Sequence, residues 1–262
     1  MRTEVTLGTQ LQLGPHFSFL GLGSCFVNNL APYLAPYASR SVTNPLGTTF
    51  NPISIADQLQ WLYQPAFQFP QAVQYGSEYH ALDAAYVFRN ENETVLKNNI
   101  EQKRTEGLDI CRGRNPVVLI TFGTAHAWRY EGRVVNNCHK LPQQWFERKM
   151  LSVEEIVQRW KELIPFIPRE TLFIFTLSPV RYTRVGLVEN SKSKAVLRLA
   201  IDRLLQLIPN SHYFPSFEII TDELRDYRYF NEHGTHPNNE AIEEVWARLA
   251  QFLGLSQSEG RR

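Results

Sequence analysis

A chain of 262 residues, 43% hydrophobic and 20% charged, has an ordinary globular composition and is long enough to bury a substantial core as one α/β domain. Its 27 basic and 26 acidic side chains leave a formal charge of +1 with no long block of either sign, which argues against nucleic acid as a partner. Cys25, Cys111 and Cys138 have no CxxC spacing, so neither a disulfide framework nor a structural zinc site is expected, and at least one is a free thiol.

The leading stretch, residues 1–7, carries Glu4 and lacks the continuous apolar run of a signal peptide or membrane span; the expectation is a cytoplasmic protein with no membrane partner. From Phe17 to Leu22 the chain is apolar, Gly23 permits a sharp turn, and residues 25–34 have mixed apolar spacing, which reads as strand, turn, helix. Two Asn-Pro pairs, Asn44-Pro45 and Asn51-Pro52, bound a loop before helical pattern resumes at Ser54. Residues 65–95 are aromatic without regular period, as irregular structure or short strands would be. A helix is predicted over residues 94–107, then a buried strand over 116–122 and another over 171–177. Between the two strands, Ser152 and Glu155 form a capping box that opens an amphipathic helix to about Phe166, and strand, helix, strand implies a right-handed parallel crossover. A long helix follows over 191–208, a short strand over 213–220 and a closing helix over 238–252. No repeat or linker divides the chain, so residues 1–262 read as a single domain with a motif-bearing core at about 17–253.

Chemistry concentrates at two places. A thiolate or activated hydroxyl at the Gly23-Ser24-Cys25 turn gains from the positive end of the following helix and its free N–H groups; alternatively Ser24 caps that helix and Cys25 packs as a small apolar side chain. Before the closing helix, His233 and His236 sit three residues apart in a turn-rich loop from which an imidazole can reach the sheet edge as general base. Further polar groups end the central strands: Gly123-Thr124-Ala125-His126, then Asn137-Cys138-His139-Lys140, and Ser178-Pro179-Val180-Arg181-Tyr182. In a doubly wound sheet these edges converge on one crevice. A metal held by His233, His236 and His139 is a weaker alternative.

These segments, with Asn44-Pro45-Leu46-Gly47, residues 151–155, 189–194 and 222–228, and His236-Pro237, together resemble the GSCFA-domain family, with Val27 in place of the alanine in its name motif. The resemblance runs from about Leu20 to Trp246. The family looks like a branch of the SGNH (GDSL) hydrolases, which implies a three-layer flavodoxin-like sandwich with a central parallel sheet and no metal or other cofactor. It also implies a nucleophile at Cys25 in the ungapped register, or at Ser24 if shifted by one, with His236 as base. The position paired with His236 holds His233 where the superfamily shows an acid, which leaves Glu232, Asp226 or a backbone carbonyl to substitute, or a dyad. The resemblance also implies Gly47 as the oxyanion glycine, and Gly123-Thr124-Ala125 resembles the superfamily's Gly-x-Asn block. Ala125 stands where an asparagine donor is expected, with Asn137 or Asn190 as replacement and His139 nearby. The implied activity is ester hydrolysis or acyl transfer on a small-molecule or carbohydrate-linked acetyl ester; the alternative is a catalytically impaired binding module on the same fold.

Overall fold

In a computed structural model, residues 3–8, 10–14, 16–64, 66–67 and 72–255 are described. Five parallel strands form the central sheet: β1 (Phe17–Gly23), β2 (Ala38–Thr43), β3 (Pro116–Phe122), β4 (Leu172–Leu177) and β5 (Ser211–Phe214), in the spatial order β2-β1-β3-β4-β5. That is the flavodoxin-like order, which places a topological switch point between β1 and β3. Leu20 lies between Val42 and Val118, and Ile120 pairs with Phe175.

Because strand side chains alternate, the sheet supplies two separate cores. Leu20, Leu22, Val118, Ile120 and Phe175 face one way, onto α2 (Pro52–Tyr63), α3 (Glu93–Cys111), α4 (Val153–Leu163) and α5 (Gly186–Leu207). Phe17, Phe19, Val117, Leu119 and Ile174 face the other, onto α1 (Cys25–Leu34) and α6 (Asn239–Leu253). The result is the three-layer α/β sandwich. Each fully buried large apolar side chain contributes roughly 1.5–3 kcal/mol relative to exposure; Trp160 of α4, fully buried against Phe122 and Phe175, is the largest of them.

Most of the predicted elements are present, with longer helices at α3 and α5, and the Ser152–Glu155 capping box is formed from both sides. One prediction is corrected: strand pairing at 211–214 stops at Pro215, and residues 216–224 turn helically, ending in a π-helical turn over Ile219–Leu224. Proline has no N–H for a ladder and its ring sets φ, so the strand cannot run on to Ile220. Strand β2 was not anticipated. Within 65–95, strands Ala72–Tyr75, Glu78–Ala81 and Arg89–Asn90 form a small antiparallel sheet, while residue 65 and residues 68–71 lie outside the described residues. A second small sheet, His126–Tyr130 with Arg133–Val135 and Phe146–Met150, stands at the carboxyl edge of the main sheet. Among the described residues no helix is long and apolar enough to cross a membrane.

Candidate active site

The end of β1 is locked in place. Gly23 has φ +128°, and a Cβ there would sit 2.2 Å from the Thr121 carbonyl oxygen, so only glycine lets β1 turn this close to β3. Its N–H donates to Asn44 Oδ1 at 2.8 Å and its carbonyl accepts from Thr49 N at 2.9 Å; Ser24 N donates to Thr121 O at 3.0 Å. Asn44 holds a left-handed φ of +46° and donates from Nδ2 to Asn28 on α1, so the loop between the Asn-Pro pairs clamps the turn.

Ser24 is the N-cap of α1, its hydroxyl accepting from Phe26 N at 3.3 Å, and it is 1% exposed. Cys25 is the first helical residue and half-buried. Both line a cleft of about 760 Å³ at the carboxyl ends of the strands, together with His236, Gly123, Thr124, Asn137 and Cys138. A depression of about 910 Å³ adjoins the cleft and shares Phe50, Tyr86 and Asn137 with it, but contains neither Cys25 nor His236.

Burial pushes the Cys25 thiol above the ordinary thiol range, while its own backbone N–H and the nearby Lys194 charge pull it back. Lys194, from the inner face of α5, was not anticipated. It is 3% exposed and donates to Gly123 O at 2.7 Å and Ser178 O at 2.6 Å, the carbonyls that immediately follow β3 and β4. Burial without a carboxylate in contact lowers its ammonium to about 7, with Cys25 acting in the opposite direction. A readable signal existed: Lys194 stands three and seven residues before Leu197 and Ile201, on the apolar stripe of α5. Ser193 beside it donates or accepts at Thr124 Oγ1 (3.2 Å) and accepts from Ala125 N at 2.7 Å, fixing the loop after β3.

His236 stands two residues before the N-cap of α6, exposed to the cleft, with Nδ1 3.0 Å from Thr235 Oγ1. Asn231 Oδ1 accepts from Thr235 N and His236 N, and Arg181 N donates to Thr235 O at 2.9 Å, which ties the histidine loop to the segment after β4.

The remaining candidates divide. Asn137 lines the cleft, and because its Oδ1 accepts from His139 N at 2.9 Å, its Nδ2 is the end free to donate there. Gly123 also lines it, but its N–H and that of Thr124 both donate to Phe50 O. Three expectations fail on geometry. Gly47 is no oxyanion donor, because its N–H closes a turn onto Asn44 O at 2.7 Å and it lies outside the cleft lining. Asn190 turns its Oδ1 to Tyr182 N at 2.9 Å and likewise does not line the cleft. His233 points to solvent beside Glu232, 3.5 Å away, rather than toward His236. His139 is buried with Nε2 3.0 Å from Ala84 O and lowered by burial to about 4, so it is a neutral packing group against His80 and Tyr86. The three histidines of the metal alternative therefore do not converge, and among the described residues no group of three or more His, Cys, Asp or Glu is placed to hold a metal.

A family model, described as the GSCFA family, matches residues 18–249, which spans β1 through most of α6. The chain belongs to the GSCFA family. No curated protein matches it. In this GSCFA protein the matched span includes the β1–α1 turn, of which Ser24 and Cys25 line the cleft.

Proposed function

We propose that this GSCFA protein is an acyl-ester hydrolase or acyltransferase in which Cys25 is the nucleophile and His236 the general base, acting on a small, carbohydrate-linked acetyl or related ester. The observation that carries the reading is that Cys25, at the N-terminus of α1, and His236, ahead of α6, line the same cleft at the carboxyl edge of a 2-1-3-4-5 sheet. Kinship with the SGNH hydrolases belongs to the same proposal.

In this mechanism His236 takes the Cys25 proton as sulfur bonds to the ester carbonyl carbon. The oxyanion is held by the α1 N-terminus and Asn137 Nδ2. Collapse breaks the C–O bond, the alcohol leaves with the proton from His236, and water or an acceptor alcohol then attacks the thioester to regenerate the thiol. Among the described residues no carboxylate lines the cleft, so Cys25 and His236 work as a dyad, with Thr235 Oγ1 orienting the imidazole in place of an acid. A thiol tolerates this better than a hydroxyl because it ionises more readily. Lys194 contributes charge that favours the thiolate from beneath the site.

The absence of an acid beside His236 also favours the second reading, a binding module that keeps the fold without turnover. Hydrolysis of a short-chain aryl ester separates the two. Cys25→Ala and His236→Ala should each lower kcat/KM by about three orders of magnitude, with Ser24→Ala within about tenfold of wild type. Turnover that survives both Cys25→Ala and Ser24→Ala removes the hydrolase reading.

A further inference from the structure

Among the described residues, the cleft that holds Cys25 is lined by Lys140, Arg148, Arg181 and Arg184 and by no aspartate or glutamate. In a chain with 27 basic and 26 acidic side chains, that is a local arrangement and not a reflection of composition. None of the four cations makes an ion pair among the described residues. Three are held in place by other means, Lys140 with its Nζ 4.7 Å from the Tyr86 ring. The Arg148 guanidinium lies 4.9 Å from the Tyr182 ring and 5.5 Å from the Trp128 ring. Arg181 lies 4.1 Å from the Phe230 ring and 4.9 Å from that of Tyr227, with Nη1 donating to Gly234 O at 3.1 Å.

Aromatic faces and a carbonyl orient a guanidinium without neutralising it. Half-buried and unpaired, Arg148 and Arg181 keep N–H donors for an incoming oxyanion, and the walls of the cleft focus their field. Arg181 N also donates to Thr235 O, next to His236, so this arginine and the histidine loop belong to one wall of the cleft.

We infer that the substrate of this site carries an oxyanion group, a carboxylate or a phosphate, which Arg148 and Arg181 receive while its ester lies over Cys25. The inference rests on the proposed nucleophile for its orientation, but the anion site is independent of turnover. A neutral acetylated sugar leaves these two guanidiniums unanswered, whereas an acylated sugar acid or sugar phosphate satisfies them.

Alkylation of Cys25 tests this without any ester. In a Cys138→Ala background, the rate constants for iodoacetate and iodoacetamide are measured at Cys25 by peptide mass analysis at low ionic strength. Their ratio is expected to exceed that of free cysteine by about tenfold. It should fall toward the free-cysteine value in 0.5 M sodium chloride, about the salt at which a screening length drops below 5 Å. It should fall likewise in Arg148→Gln and Arg181→Gln, where the iodoacetamide rate reports on the thiol and the fold. Protection from iodoacetate by inorganic phosphate, compared with acetate at matched ionic strength, tells which oxyanion the site prefers; protection by neither overturns the inference. A wild-type ratio equal to that of free cysteine, or one unchanged by the arginine variants, also overturns it. Aryl-ester turnover with a flat ratio leaves the hydrolase reading intact and removes the anion site, and a raised ratio with no turnover does the reverse.

Discussion

Cys25 and Lys194 form the pair on which reactivity turns. The thiol is raised by burial and the ammonium is lowered by burial to about 7, and each partner pulls the other back toward its charged form. The ammonium is charged only below about 7, so iodoacetamide alkylation of Cys25 should be slower in Lys194→Met than in wild type at pH 6.5, with the two rates converging by pH 9; equal rates at pH 6.5 mean that the ammonium does not act on the thiol. Stability gives a second readout. A lysine near 10.4 in the unfolded chain and near 7 in the fold means that between those values the unfolded state binds one more proton, so stability rises with pH across the window. Below about 7 the group contributes no slope. Urea unfolding at pH 7.5, 8.5 and 9.5 should therefore show wild type gaining on Lys194→Met by up to about 1.4 kcal/mol per pH unit. The two orphaned carbonyls of Gly123 and Ser178 add a constant cost to the variant but no slope. Cys25 and His236 were legible in the sequence because each sits in a dense local motif at the end of an element. Lys194 was hidden because Lys192-Ser193-Lys194 reads as a solvated helix surface, and only its phase relative to Leu197 reveals which way it points.

At the scale of elements, the β1–α1 turn is held by three segments distant in sequence: β1, the Asn44–Thr49 loop and β3. Gly23→Ala puts a methyl group 2.2 Å from the Thr121 carbonyl, and neither backbone can yield without breaking the β1–β3 ladder. The expected outcome is a loss of at least about 3 kcal/mol, measured by denaturant unfolding, or failure to accumulate as soluble protein. Gly21→Ala is the useful contrast, since its new Cβ meets side chains and not backbone, the Val27 and Thr43 methyl groups at 2.9 and 3.2 Å and Phe19 Cζ at 3.3 Å, and should cost less. The apolar strands β1, β3 and β4 were readable because they are buried along nearly their whole length. Strand β2 was not: Ala38-Ser39-Arg40-Ser41-Val42-Thr43 is a half-exposed edge strand whose only sheet neighbour among the described residues is β1, so tertiary pairing and not composition makes it a strand. The same holds in reverse at 216–224, where an apolar stretch with β-forming residues is wound into a turn by Pro215 and by packing of Ile219 and Ile220 beneath α6.

Across the whole molecule, Val5, Leu7, Leu11 and Leu13 pack on the α1/α6 face. Leu11 N and Leu13 N donate to the carbonyls of Phe252 and Leu253, and Arg248 of α6 bridges Glu223, at 2.8 and 3.0 Å, to the Val5 carbonyl. Glu223 is 8% exposed and also accepts from Val5 N at 2.8 Å. Arg248 lies nine residues beyond Asn239, the start of α6, roughly 13.5 Å along the helix. The latch therefore sets the stability of α6 without touching the cleft at its other end. Arg248→Met should cost about 3–5 kcal/mol, because it takes the guanidinium away from a buried carboxylate, while aryl-ester turnover of the folded protein stays within twofold of wild type. Adding Glu223→Gln keeps an acceptor for Val5 N and removes the buried charge, so the double variant should recover more than half of the loss. A double variant no more stable than Arg248→Met alone would instead place the cost in the lost packing of the arginine stem and its bond to Val5, and would make the leading segment, not the ion pair, the element that holds α6 and its histidine loop in place.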